Sequence, residues 1–476
     1  MKLELVAEPI VTHHSARCNS QDFDYTATIS EVAFLDSEGV VCATFCSYAY
    51  VRDSEGAVKR PVIFAFNGGP GASSLYTHMN GFGPICTDIP DVADARRGGP
   101  RTVANEHSLL DAADLVFIDP PGTGFARVAA QGRSTEFYGL LPDARAFAGF
   151  IRDWLSRNGR WSSPKYVMGE SYGTLRAALL SRELMGSYGT GMLHGAGLDG
   201  VIVLGQGMNI ADTAPGNPDT PYILMLPTYA ALAWHYRKGG GDIDNLEDVL
   251  EQARKFAAEE YSVALHLGTR LSDSQARRIV GRLAELTGIN ESTWRNSKLR
   301  VGPSLFAATL LAADGKQLGL YDGRYSLPLP GYVQDPVADD PMLTDSAENA
   351  MAALQAQLHG PLNGTPTGDY KIINFEVNSA WDFSLPENGP PVYLDVSGIM
   401  AASMNRSKRL RLFVGSGAYD LVTPWGAAEH MLTRGNFPVE RTIHRVYASG
   451  HSIFICSKAR GKLAADLRNF VCHGDE

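Results

Sequence analysis

Basic charge is scarce in this chain of 476 residues, and the scarcity excludes several functions. Lys and Arg number 42 against 52 Asp and Glu, which gives a formal net charge of −10. A chain with this charge and no basic run is poorly suited to bind nucleic acid or an anionic membrane surface. The chain also lacks the roughly 18 continuous apolar residues of a membrane-spanning helix. We therefore expect no nucleic-acid partner and no membrane partner.

Cysteine is scarce as well, with six residues and no C-x-x-C pair. Cys42 and Cys46 fall in one predicted strand, about 13 Å apart, whereas a disulfide spans at most about 7 Å between Cα atoms. The N-terminal stretch lacks the apolar segment of a signal peptide. These features favour a cytoplasmic location, or a secreted or periplasmic one if a leader has been removed.

Motifs for metals and nucleotides are also missing. No His, Cys, Asp or Glu cluster has zinc-like spacing. The stretch NGGPGASS (67–74) lacks the Gly-Lys-Ser/Thr of a phosphate loop, and GQGMNI (205–210) lacks the third glycine of a dinucleotide fingerprint. We expect neither a metal nor a cofactor.

Short apolar runs that end in glycine are abundant and indicate the fold class. They are PVIFAF (61–66), ADLVFID (113–119), KYVM (165–168), GVIVL (200–204), RLRLFV (409–414) and RTIHRVY (441–447). Runs of this kind are typical of strands buried on both faces of a mostly parallel sheet. A helical pattern at 141–158 lies between two of them, as in a βαβ unit. The sequence predicts an α/β protein.

Between Ala211 and Trp381 strand-like runs vanish and helical patterns dominate. In LSDSQARRIVGRLAELTG (271–288), Ser272 or Asp273 can begin a helix and Gly288 can end it. We expect a core domain formed by residues 1–210 and 382–476, with residues 211–381 inserted as a mainly helical cap.

The stretch GESYG (169–173) places Ser171 between an apolar strand and a helical run. Strand, tight turn and helix in this order form a nucleophile elbow, in which the helix N-terminus favours developing negative charge. The alternative is a serine that only caps the helix. The context favours a nucleophile.

A serine nucleophile needs a histidine base and a carboxylate that orients it, and in this architecture the order is Ser, Asp or Glu, then His. Asp420 lies in the loop after RLRLFV, and His451 lies in the loop after the last predicted strand. Three other late histidines fit less well, because of their predicted element or their place in the chain: His430, His444 and His473. We therefore predict a triad of Ser171, Asp420 and His451.

Acyl transfer also needs donors for an oxyanion. The backbone N–H of Tyr172 can serve as one, since it follows the serine. The second usually comes from a glycine-rich loop after an earlier strand, and NGGPGASS (67–74) is such a loop.

Together these motifs resemble the serine carboxypeptidase family. The matching stretches are NGGPGASSL (67–75), NEHSLLDAADLVFIDPPGTGFA (105–126), GESYG (169–173), GSGAYDLVTPW (415–425) and YASGH (447–451). They stand in the family's order, and the missing leader suggests a microbial member. The resemblance implies an α/β-hydrolase fold with a helical insertion, and removal of C-terminal residues from peptides.

The resemblance also implies site residues. It assigns the same triad, and it makes the backbone N–H groups of Gly69 and Tyr172 the oxyanion hole. Asn67, Gly68 and Glu170 would bind the substrate's terminal carboxylate. Two carboxylates bind each other only when they share a proton, so we expect Glu170 to be protonated in the productive complex.

The expected substrate is a peptide or a small acyl compound with a free carboxylate, and the oligomeric state stays open. One alternative is an esterase, amidase or acyltransferase of the same fold that acts on a small metabolite. This alternative draws on a departure from the family, since Asn80 and Gly81 stand where members usually carry an acidic residue. A less favoured alternative is an inactive hydrolase fold that only binds ligands.

Overall fold

The computed structural model describes residues 2–53, 59–89, 101–129, 133–187, 191–213, 219–240, 243–329, 337–364, 366, 368–385 and 394–472. The candidate base His473 lies outside these residues, as do most of the Pro/Gly-rich stretch 214–221 and positions 365 and 367 of the stretch 360–368.

A large sheet forms the centre of the fold, and three two-stranded sheets accompany it. The strands are β1 (Lys2–Leu5), β2 (Ile10–Cys18), β3 (Gln21–Leu35), β4 (Val41–Arg52), β5 (Val62–Phe66), β6 (Ile85–Thr87), β7 (Thr102–Ala104), β8 (Asp114–Asp119), β9 (Lys165–Glu170), β10 (Gly186–Ser187), β11 (Met192–Leu193), β12 (Gly200–Leu204), β13 (Lys316–Leu318), β14 (Ser326–Pro328), β15 (Arg411–Gly417) and β16 (Thr442–Tyr447).

The central sheet has the order β1-β3-β4-β8-β5-β9-β12-β15-β16, with β2 paired to β3. All pairs from β8 to β16 are parallel, whereas the pairs among β1, β2, β3, β4 and β8 are antiparallel. The expected α/β class and mostly parallel sheet are therefore confirmed. Residues Asp36–Gly39 form the turn of the hairpin between β3 and β4.

Some helices of the described residues cover the two faces of this sheet, and the others pack together in a separate cluster. The helices are α1 (Leu140–Arg157), α2 (Tyr172–Met185), α3 (Thr220–His235), α4 (Leu246–Phe256), α5 (Ser262–Leu267), α6 (Asp273–Thr287), α7 (Glu291–Asn296), α8 (Pro303–Thr309), α9 (Pro341–His359), α10 (Phe375–Ser379), α11 (Ser397–Arg406), α12 (Trp425–Arg434) and α13 (Ser457–Cys472). A π-helical turn spans Tyr76–Phe82.

Two buried clusters, one on each face, hold the sheet between its helices. Apolar side chains of α1, α2 and α11 pack on one face, around Phe147 and Leu179. Side chains of α9, α13 and the π-helical turn pack on the other, around Phe117 and Leu463. Strands β5, β8, β9 and β12 are buried along their whole length, which explains why they read as continuous apolar runs.

The described residues between 211 and 381 are mainly helical, and α3 to α8 form a third apolar cluster. Ser272 caps α6 in a reciprocal capping box, and Gly288 ends the helix in a left-handed conformation, as the sequence predicts. The expectation that strands vanish here was wrong in one place. Strands β13 and β14 form a short antiparallel hairpin.

Within the described ranges, none of the helices combines the length and the apolar character needed to cross a membrane.

Candidate active site

Ser171 stands on a sharp turn between β9 and α2. Its backbone has φ 57° and ψ −126°, a conformation that side-chain-bearing residues rarely adopt, and its N–H donates to the Leu204 carbonyl at 2.9 Å. Ser171 occupies the N-cap position of α2, yet its hydroxyl makes no capping hydrogen bond. The alternative that Ser171 only caps the helix is therefore not supported, and its hydroxyl is available for catalysis.

The glycines around Ser171 allow the turn to close. A Cβ on Gly169 would lie 2.1 Å from the Gly173 carbonyl oxygen, and a Cβ on Gly173 would lie 3.1 Å from the Asn67 carbonyl oxygen. Since ordinary contacts are about 3.5–4.0 Å, a side chain at Gly169 would force the strand and the helix apart. The glycine spacing thus serves the close approach of β9, α2 and the loop that begins at Asn67.

Asp420 and His451 lie at the carboxyl ends of β15 and β16, and their side chains meet. Nδ1 of His451 is 2.8 Å from Oδ2 of Asp420. Oδ1 of Asp420 accepts from the backbone N–H groups of Val422 and Thr423 at 2.8 and 2.9 Å. The Thr423 hydroxyl donates to Oδ2 at 2.6 Å. The carboxylate is therefore held in the orientation that fixes the histidine tautomer.

Charge tuning at this pair favours an ionised carboxylate beside a basic imidazole. Burial alone raises the pKa of Asp420, but His451 and the Thr423 hydrogen bonds overcome it, so the pKa of Asp420 lies below its ordinary value. Burial alone lowers the pKa of His451. The carboxylates of Asp420, Glu170 and Asp340 outweigh that penalty and raise the pKa of His451.

The second ring nitrogen of His451 is the one that a base would use. Among the described residues, Nε2 is buried and has no hydrogen-bond partner. Gly205 lies against this ring, since a Cβ there would be 3.0 Å from Cε1 of His451. The residue before it, Leu204, accepts the hydrogen bond from Ser171 described above. The end of β12 therefore contacts both the Ser171 backbone and the His451 ring, and no hydrogen bond joins Nε2 of His451 to the Ser171 hydroxyl.

The loop Asn67–Gly71 lies against the N-terminus of α2. A Cβ on Gly68 would lie 2.4 Å from the Tyr172 backbone nitrogen and 2.8 Å from the Glu170 carbonyl oxygen. The loop backbone therefore reaches the first free N–H groups of α2, beside Ser171. The two predicted oxyanion donors, Gly69 and Tyr172, therefore belong to segments that are in close contact at Gly68.

The ion pair of Arg176 and Asp143, which was not predicted from the sequence, supports this loop. Arg176 of α2 is fully buried, and its Nε donates to Oδ2 of Asp143 at 2.7 Å. One terminal nitrogen of Arg176 donates to the Asn67 carbonyl at 2.8 Å, while the guanidinium lies 4.3 Å from the centre of the Phe147 ring. Arg176 thus ties the glycine-rich loop to α1 and α2.

Asn67 and Glu170 are in direct contact, as the resemblance implies. The side-chain amide of Asn67 donates to Oε2 of Glu170. The amide is oriented by Thr77, whose N–H and hydroxyl donate to Oδ1 of Asn67 at 3.0 and 2.9 Å. A second partner was not predicted, since the Ser452 hydroxyl donates to Oε1 of Glu170. Both carboxyl oxygens of Glu170 are therefore held.

Glu170 is only 4% exposed, and this burial raises its pKa. His451 and the donors from Ser452 and Asn67 pull the pKa down, but less strongly. A carboxyl group with a raised pKa can carry the proton that a second carboxylate would share.

Asn80, at the position that departs from the family, uses both polar atoms of its side chain on partners other than Glu170. Its amide donates to the Ser346 carbonyl of α9 at 3.2 Å, and its Oδ1 accepts from the Thr87 hydroxyl at 2.7 Å. Asn80 therefore fastens α9 to the core, and the pair of Asn67 and Glu170 stands without an acidic neighbour from this loop.

A segment of the mainly helical region packs on the base. The backbone N–H of His451 donates to the backbone carbonyl of Tyr321 at 2.6 Å. The side-chain rings of the two residues meet edge to face, with 5.2 Å between their centres. Asp322 accepts from the Gly450 N–H at 3.1 Å. A cavity of about 640 Å³ has Tyr76, Leu343 and Met351 among its mostly apolar lining residues, and Tyr76 also interacts electrostatically with Tyr321 and Glu170.

The other described late histidines lie apart from the serine. His430 pairs with Asp212 at 3.1 Å, and His444 is 3.1 Å from the Ser416 hydroxyl. His451 is thus the described late histidine whose partners match a base.

Three comparisons with known proteins bear on this site. A family model described as serine carboxypeptidase matches residues 44–217. Serine carboxypeptidase-like 8 of Arabidopsis thaliana is 28% identical over 144 residues, which is 30% of this chain and 32% of that protein. Serine carboxypeptidase ctsa-3.2 of Caenorhabditis elegans is 27% identical over 154 residues, 31% of this chain and 28% of that protein. The chain thus aligns with about a third of the length of these relatives.

The similarity of the fold extends further than that of the sequence. The crystal structure of a prohormone-processing carboxypeptidase from Saccharomyces cerevisiae has a TM-score of 0.56 and 13% identity, covering 94% of this chain and 91% of that one. The sheet order, the family-model match and these relatives lead to one conclusion. The chain has the α/β-hydrolase fold, and its residues 44–217 are similar to the serine carboxypeptidase family.

Proposed function

We propose that this protein is a serine carboxypeptidase that hydrolyses the C-terminal peptide bond of peptides. The observation that carries the proposal is the position of Glu170. A buried carboxyl group with a raised pKa directly precedes Ser171 and is held by Asn67 and Ser452. Burying a carboxyl group at this position is unfavourable in free energy and does not assist ester or amide hydrolysis by itself. A substrate with a free terminal carboxylate can share the proton of Glu170, which gives this buried group a function.

In the proposed mechanism, the Ser171 hydroxyl attacks the carbonyl of the terminal peptide bond. His451 takes the hydroxyl proton on Nε2, and Asp420 holds Nδ1 and stabilises the imidazolium. The N–H groups of Gly69 and Tyr172 stabilise the oxyanion. His451 then gives its proton to the leaving amino group, and the C–N bond breaks.

The acyl-enzyme is hydrolysed by the same groups. Water attacks the ester carbonyl as His451 accepts a proton from it, and the proton passes to Ser171 as the ester bond breaks. Protein groups supply every step, so the proposed mechanism uses no metal or cofactor.

The domain division belongs to the proposal as well. Residues 211–381 act as a cap on a core formed by 1–210 and 382–476. The contacts of Tyr321 and Asp322 with the loop of His451 support this division, because they bring the helical region to the site. The cavity beside Tyr76 would then receive an apolar part of the substrate.

A second candidate is an esterase, amidase or acyltransferase on the same scaffold. The amide at Asn80 favours it, because this residue bonds Ser346 and Thr87 and supplies no second acid to the carboxylate-binding pair. The triad would serve equally, and only the leaving group or the acceptor would differ.

A mass-spectrometric time course on a peptide pool tests the proposal, with Ser171→Ala as the inactive control. We expect single residues to leave from the C-terminus, one after another, with the wild-type protein alone. Cleavage of esters or of internal bonds, with intact C-termini, would favour the second candidate. A catalytically inactive binding protein would leave the pool unchanged and would not react with a serine-directed phosphonate.

A further inference from the structure

Ser452 is the residue directly after the candidate base, and it joins two parts of the site that lie 282 positions apart in sequence. Its side chain is 4% exposed, and its hydroxyl bonds Oε1 of Glu170. Ser452 follows His451 and Glu170 precedes Ser171, so this hydrogen bond links the loop of the candidate base to the turn of the candidate nucleophile.

We propose that Ser452 is a positioning residue for substrate binding, whose hydroxyl holds the carboxyl group of Glu170 where it shares a proton with the substrate's terminal carboxylate. This inference rests on the proposed function and extends it to a residue that no motif marks.

The chemistry of a hydroxyl suits this position. The amide nitrogen of Asn67 can only donate, so Oε2 of Glu170 must be the acceptor in their hydrogen bond. A serine hydroxyl donates most strongly to the ionised carboxylate, and after a rotation it can still accept from Glu170 when that group carries a proton. The carboxyl group thereby keeps its place when the substrate arrives and the proton moves between the two carboxyl groups.

Several ionisable groups influence Glu170 besides this hydrogen bond. Burial disfavours the ionised form of Glu170 most strongly, and Asp420 does so weakly, whereas His451 favours it. The Tyr76 hydroxyl, from the π-helical turn, also interacts electrostatically with Glu170. Ser452 and Asn67 add donors that stabilise the ionised carboxylate.

Removal of the Ser452 hydroxyl should raise the pKa of Glu170 and so change the pH dependence of KM. Ionised Glu170 loses one of its two donors, so its pKa in the free enzyme rises further. A hydrogen bond to a charged group has an effect equivalent to about one pH unit or somewhat more. Binding of the free-acid substrate requires protonated Glu170, so KM increases once Glu170 ionises. In Ser452→Ala this increase should begin at a pH about 1 unit higher than in the wild type.

The experiment measures KM and kcat against pH for a blocked dipeptide with a free carboxylate. Ser449→Ala is the matched control, since Ser449 lies buried in the same loop and its hydroxyl donates to the Ile453 carbonyl at 3.3 Å. We expect the control to keep the wild-type pH profile. We also expect Ser452→Ala to shift KM but to have no such shift in a Glu170→Gln background, because the amide does not ionise.

Three results would overturn the inference. KM could rise equally at every pH, which indicates a merely structural role. The pH profile could stay in place, or the shift could persist in the Glu170→Gln background. In these cases the proposed function stands, provided that Glu170→Gln alone still flattens the pH dependence of KM. If wild type and Glu170→Gln show no preference for the free acid, the proposed function itself fails.

Discussion

Replacement of Gly68 by alanine tests the packing of the glycine-rich loop against Ser171. The added Cβ would lie 2.4 Å from the Tyr172 nitrogen and 2.8 Å from the Gly173 nitrogen. Since ordinary contacts are about 3.5 Å, the loop or the helix start must move by roughly 1 Å. All three nearest atoms belong to the backbone, so no side chain can relieve the contact by rotating.

The expected loss follows from that movement. A misplacement of about 1 Å costs roughly 10²-fold in rate, and loss of one oxyanion donor costs about 10²–10³-fold. We therefore expect kcat for Gly68→Ala to fall by about 10²–10³-fold, which corresponds to about 2.7–4 kcal/mol. Overpacking should also lower the free energy of unfolding by about 1–3 kcal/mol.

The assay uses a chromogenic ester without a free carboxylate, so that acyl transfer is measured apart from carboxylate binding. Gly398→Ala is the control, because Gly398 is an exposed glycine of α11 with no atom within 4 Å of an added Cβ. It should keep full activity and should not lower the stability, because the added methyl group meets no other atom. A folded Gly68→Ala protein with kcat within about threefold of wild type would refute the packing argument.

Two further substitutions address the ion pair and the base. Arg176→Met leaves the buried Asp143 unpaired, so it should lower the free energy of unfolding by about 3–5 kcal/mol, whereas the double variant with Asp143→Leu should recover most of that loss. In the double variant the Asn67 carbonyl still lacks its donor, so kcat/KM should stay roughly tenfold low; full recovery of activity would show that the loop needs no such support. Glu170→Gln removes a carboxylate that raises the pKa of His451, so the acidic limb of kcat/KM for the ester should move to lower pH, and an unmoved or upward-shifted limb would contradict the charge coupling.

The sequence was sufficient to predict the elements that carry the triad. Apolar runs that end in glycine correspond to β5, β9, β12 and β15, because strands buried on both faces cannot alternate with polar residues. The loops after β15 and β16 bring Asp420 and His451 together, as the chain order required. Their catalytic roles stay predictions until the substitutions are made.

The supporting contacts could not be predicted from the sequence. Ser452 and Arg176 touch partners far away in the chain, and neither belongs to a motif with a fixed spacing. Thr423 lies near Asp420, yet a threonine in a loop after a strand has many structural uses. The hairpin of β13 and β14 escaped detection because strands of three residues carry too little periodicity to stand out among helices.

The central proposal is that this protein is a hydrolase and that Glu170 makes it specific for a free terminal carboxylate. The most direct measurement compares kcat/KM for one blocked dipeptide as its free acid and as its C-terminal amide, at a pH below the raised pKa of Glu170. The account predicts that the free acid reacts roughly 100-fold faster, because the amide cannot take part in the shared proton. Equal rates for the two substrates would contradict it.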